Sequence, residues 1–134
     1  MYANNAYLNN TTMDIKDKSS PLIVTSCGTY HLFTCPKLST WRPRGRLDFQ
    51  LLYIASGKAH FHFNQTEVYW VHFTGNDVTN ILRYYGFTKE KHVYYCGKGL
   101  DYQNHFRLMI QELQMCKEHY AEILEMHLRE IFIM

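Results

Sequence analysis

His60 and His62 flank Phe61 on a segment rich in β-forming residues. Residues i and i+2 of a strand project to one face, so the two rings could share an ion or line one wall of a pocket. Tyr69-Trp70-Val71-His72-Phe73-Thr74-Gly75 repeats the device, with Trp70 and His72 on one face of a strand and Val71 and Phe73 on the other. An aromatic plane beside a hydrogen-bonding ring suits a small hydroxylated molecule such as a sugar, although Trp70 is equally compatible with a plain core role. Tyr53 joins the candidate site because a phenol in an interior normally finds a polar partner. In the basic turn Arg42-Pro43-Arg44-Gly45-Arg46, a guanidinium fork would recognise hydroxyls, carboxylates or phosphate. Arg44 and Arg46 read as solvated turn residues, whereas for Arg42 a ligand contact and a solvated turn both stand.

Catalytic constellations are harder to assemble. Neither Cys35-Pro36 nor Tyr94-Tyr95-Cys96 has a histidine beside it, and no glycine-rich phosphate loop precedes a helix. Covalent catalysis and nucleotide hydrolysis are disfavoured, and the chain reads as a non-enzyme. The eleven tyrosines suit strand and pocket surfaces better than any catalytic scheme.

The elements that would position these residues follow from pattern. Residues 1 to 20 carry four asparagines and a polar run from Asp14 to Ser20, with few apolar anchors to offset the entropy of ordering, so this segment is expected to be a flexible arm. Short β-rich stretches follow at Leu22 to Thr25, Tyr30 to Thr34, Phe49 to Ala55, Lys58 to Phe63 and Glu67 to Phe73, with a hairpin turn at Ser56-Gly57. After Gly75 the period becomes helical: Val78, Ile81, Leu82 and Tyr85 form one stripe over about 77–85, with Asn76 as cap and Gly86 as terminator. Residues 101 to 134 contain neither Gly nor Pro and carry two apolar stripes, one through Phe106, Met109, Ile110 and Leu113, the other through Tyr120, Ile123, Leu124, His127, Leu128 and Ile131.

At 134 residues the chain makes about one domain. Fourteen basic against twelve acidic residues give a net charge of +2, and no basic cluster extends beyond Arg42, Arg44 and Arg46, so direct nucleic-acid binding is poorly supported. The four cysteines are scattered without a Cys-x-x-Cys pair, and there is neither a signal peptide nor an apolar run of spanning length. Reduced thiols, a cytoplasmic location and no membrane partner are the corresponding expectations.

Taken in order, the Arg42 to Ile54 stretch and the Trp70-Val71-His72-Phe73-Thr74-Gly75 strand resemble the N-terminal effector-binding domain of AraC-type transcription regulators. The resemblance covers most of residues 20 to 134. It implies a mainly β fold, a cupin-like jelly-roll β-barrel over 21–98 followed by an antiparallel pair of helices over 99–134 with its break near Cys116 to His119. It further implies that Arg42, Tyr53, His60, His62, Trp70 and His72 line an effector site for a small molecule, with carbohydrate as the favoured class. Ile123, Leu124, His127, Leu128 and Ile131 would pair with a second copy in a homodimer. DNA would be read only through a helix-turn-helix domain absent from this sequence. Glu67 completes a His-x-His-x4-Glu pattern resembling metallo-cupins, which keeps a metal-dependent cupin enzyme as one alternative and a ligand-free dimerisation module as another. We expect no cofactor and no stoichiometric metal at His60 and His62. A barrel of eight strands needs more β-sequence than is present, so missing residues are expected near Asn64-Gln65.

Overall fold

A computed structural model of the chain describes residues 2–8, 16–32, 48–56, 66–88, 90 and 100–133. Four strands, β1 (Tyr2–Tyr7), β2 (Ile23–Leu32), β3 (Phe49–Ser56) and β4 (Thr66–Thr74), are followed by helices α1 (Val78–Tyr84), α2 (Leu100–Met115) and α3 (Tyr120–Ile133). The strands make one antiparallel sheet in the order β1-β2-β4-β3. This corrects the expected jelly-roll barrel: among the described residues the sheet is open, with β1 and β3 at its edges. It also removes the reason for expecting lost strands, because β3 pairs directly with β4 from Phe49↔Phe73 to Ser56↔Glu67. The suspected junction at Asn64-Gln65 itself lies outside the described residues.

The register sorts side chains onto two chemically different faces. Val24, Cys27, Tyr53, Tyr69, Val71 and Phe73 share one face and are buried there. Phe106, Met109, Ile110 and Leu113 of α2, with Leu124, Leu128, Ile131 and Phe132 of α3, close over that face as one core. Each such side chain contributes about 1.5–3 kcal/mol by leaving water, which is what holds the helical pair on the sheet. Tyr53 stacks at 5.0 Å on Tyr102 and at 6.2 Å on Phe106, so the aromatic contacts run from sheet to helix.

The helices fall close to the expected places. α1 ends in a Schellman motif: Gly86 has φ 93°, its N–H donates to Arg83 O at 3.0 Å, and Phe87 N–H donates to Leu82 O at 2.8 Å. Its start differs from expectation. Asn76 does not cap it; the Asn76 side-chain amide donates to Lys18 O at 3.1 Å and its backbone N–H to Ser20 O at 2.9 Å, tying the helix start to the segment before β2. α2 and α3 are broken where expected, with Cys116 at φ 48° and His119 at φ 64° turning the chain back. The pair is antiparallel, since His105 near the start of α2 meets Glu130 near the end of α3 at 3.1 Å.

Two elements depart from the sequence reading. β2 is one continuous strand where two were expected, with a bulge between Val24 and Ser26. Residues of the supposed arm form β1, paired with β2 from Tyr2↔His31 to Tyr7↔Ser26. Backbone hydrogen bonds to β2 order this polar segment, together with Ala6 buried in the core and Leu8 packed against it. No helix among the described residues is long and apolar enough to cross a membrane.

Candidate functional site

Trp70 and His72 lie on the sheet face turned away from α2 and α3, as alternation from buried Val71 and Phe73 requires. Their rings are 4.7 Å apart and tilted by 34°. Ser26, opposite His72 in the register, stands with its hydroxyl 2.9 Å from His72 Nδ1. Thr25 occupies the bulge beside this pair, and its hydroxyl donates to His72 O at 3.2 Å. The bulge thereby aims Ser26 and Thr25 at the same residue from two directions. Tyr7 of β1 reaches across to Trp70 at a centroid distance of 6.0 Å. Trp70 and Ser26 are buried and His72 is half-buried, while Gln50 and Leu52, their partners on β3, are exposed. The result is a cluster of indole, imidazole and hydroxyl bordered on the β3 side by exposed Gln50 and Leu52.

Gly28 explains how the indole fits. It faces Trp70 in the register, and a Cβ there would come within 2.7 Å of Trp70 Cζ2 and 2.9 Å of Asn4 O. Only a residue without a side chain leaves that space. Gly75, which closes the Trp-x-His-Phe-Thr-Gly motif, has φ 151°, and a Cβ on it would strike the Pro21 carbonyl. The motif glycine is thus set by the close passage of the chain just before β2.

Of the residues singled out from sequence, Trp70 and His72 come together. Tyr53 does not join them: it pairs with Tyr69 in the register and lies in the core on the opposite face. Arg42, His60 and His62 lie outside the described residues. Leu124, Leu128 and Ile131, expected at a dimer interface, are buried inside the chain's own core, with Ile123 and His127 half-buried beside them. A shallow cavity of about 280 Å³, lined by Lys16, Lys18, Phe49, Thr74 and Asn76, lies at the end of β4, and none of Tyr53, Trp70 and His72 lines it.

A second polar cluster lies between the helices, and sequence reasoning did not assemble it. His105 Nδ1 is 3.1 Å from His127 Nδ1, and His105 Nε2 is 3.1 Å from Glu130 Oε2. Its only local signal is His127-x-x-Glu130, an i, i+3 pair on one helix face; His105 arrives from 22 residues away through the α2–α3 turn.

A scan against models of known protein families, a search of curated proteins and a search of solved structures each returned no match.

Proposed function

We propose that this chain is an effector-binding domain of the kind found in AraC-type transcription regulators, with its ligand held against the outer sheet face instead of inside a closed barrel. The observation that carries this reading is the Trp70–His72–Ser26 wall, in which an indole, an imidazole and a hydroxyl are fixed by the sheet at 4.7 and 2.9 Å. The ligand would be a small hydroxylated molecule, a sugar or sugar acid, stacking on the ring faces and exchanging hydrogen bonds with His72 and the exposed Gln50. The motif stretch Arg42 to Ile54 supports the same class, with Arg42 as an anionic or hydroxyl contact.

β1 supplies a route from ligand to helices. Its Tyr7 touches Trp70 on the outer face, while Asn4 Oδ1 on the inner face accepts a hydrogen bond from Gln114 Nε2 of α2 at 3.1 Å. A ligand that contacts Tyr7 favours the state with β1 in place, and so biases the position of α2; the shift requires different affinities for the two states. The helical pair would in turn set the arrangement of a DNA-reading partner domain.

A thermal-unfolding screen of the chain with sugars and sugar acids tests this directly. A true ligand at a hundred times its dissociation constant should add about 2.7 kcal/mol to stability, and His72→Ala should remove most of that gain. No stabilisation by any member of the panel, or full stabilisation in His72→Ala, would overturn the assignment.

A further inference from the structure

The geometry points to a divalent transition-metal site between α2 and α3, with His105, His127 and Glu130 as its protein ligands. One donor atom from each of the three residues lies within 4.8 Å of the other two. Two nitrogens bound to one ion at about 2.0–2.1 Å stand about 2.9–3.4 Å apart in tetrahedral or octahedral geometry. The two Nδ1 atoms are already 3.1 Å apart. Glu130 now meets the far nitrogen of His105, and its side chain is 53% exposed, so rotation about its own bonds can carry the carboxylate to the third position. A set of two imidazoles and one carboxylate suits zinc, cobalt or nickel better than the oxygen-seeking magnesium and calcium ions.

Without an ion the same groups can satisfy one another. His127 Nδ1–H would donate to His105 Nδ1, and His105 Nε2–H to the Glu130 carboxylate. Glu112 is what this arrangement leaves over. Its Oε2 is buried and has no hydrogen-bond partner among the described residues. It stands two turns beyond His105 on α2, about 10 Å by helical rise, so it adds negative charge beside the site without reaching into it. The site joins the two helices across their packed face, and an ion there would fasten the hairpin independently of any ligand on the sheet.

Calorimetric titration of the full chain with Zn2+, and visible spectroscopy with Co2+, test the site. One ion per chain is expected, with at least a tenfold loss of affinity in both His127→Gln and Glu130→Gln. Half-exposed Glu130 makes the second variant safe for folding, which circular dichroism would check. The Co2+ spectrum should lack thiolate charge-transfer bands, and Cys116→Ser or a His60→Ala/His62→Ala double variant should bind as the parent does. Absence of saturable binding overturns the proposal. So does unchanged affinity in the His127 and Glu130 variants, or loss of binding in the Cys116 or His60/His62 variants.

Discussion

Cys27 and Cys116 are both free thiols, yet their surroundings make them chemically opposite. Cys27 is fully buried beneath the helices, and burial pushes its pKa far above the ordinary thiol range; Cys116 is exposed in the α2–α3 turn. Native-state alkylation followed by peptide mapping should therefore label Cys116 and spare Cys27 until denaturant is added. The raised value also sets a pH dependence. The folded chain keeps the Cys27 proton while the unfolded chain loses it above about pH 8.5, so this contribution to stability is intact below that pH and falls as pH rises. Comparing urea midpoints at neutral and alkaline pH, the parent should lose more than Cys27→Ala does. Gly28 gives a second test at the same scale. A methyl group forced against the Trp70 indole should destabilise Gly28→Ala by about 1–3 kcal/mol, read from urea unfolding, and should weaken any ligand held by that wall.

Among the elements, the helical hairpin was the most legible, because two apolar stripes at helical spacing need only tertiary contact to become two helices. The place of its turn follows from the resemblance and not from local composition, because the residues there do not welcome the conformation: His119 adopts φ 64° with a bulky side chain exposed to solvent. His119→Gly should relieve that strain and stabilise the chain by about 0.5–1 kcal/mol, seen as a higher urea midpoint at unchanged slope. The amphipathic pattern of α3 could not say which partner covers it. Leu124 and Leu128 are 1% and 0% exposed within a single chain. Glutamate at either position should consequently unfold the domain, with loss of circular dichroism, instead of releasing folded monomers. A folded monomer obtained from a dimeric parent would show that α3 exchanges its internal partners for a second copy.

At the scale of the whole molecule, the sheet of the described residues carries a core on one face and a polar-aromatic wall on the other, and β1 belongs to both. Deleting residues 1–8 would strip an edge strand from β2, expose Cys27 where Ala6 covers the same face, and remove Tyr7 from Trp70. A flexible arm could be lost at no cost. Here the truncated chain should unfold at lower urea concentration than the parent, and ligand stabilisation should weaken with it; an unchanged midpoint would mean that β1 contributes nothing to the folded state.

The sequence by itself determined local matters: the strands around Phe49 and Trp70, the split between Trp70/His72 and Val71/Phe73, and the Schellman end of α1 at Gly86. Each follows from period, turn chemistry or φ preference acting over a few residues. Tertiary structure decided the rest. Tyr2–Tyr7 has no apolar repeat to announce a strand, and its order comes from pairing with β2, from Tyr7↔Ser26 to Tyr2↔His31, well beyond any local window. The choice between barrel and open sheet depends on which strands meet across the chain, a property no short window contains. Tyr53 left the Trp70 face for the same reason, because the register with Tyr69 fixed its direction. His105, His127 and Glu130 meet only because the turn at Cys116 and His119 folds α3 back on α2. Spacing in a sequence can place two ligands on one helix face, but a third from another helix is set by packing alone.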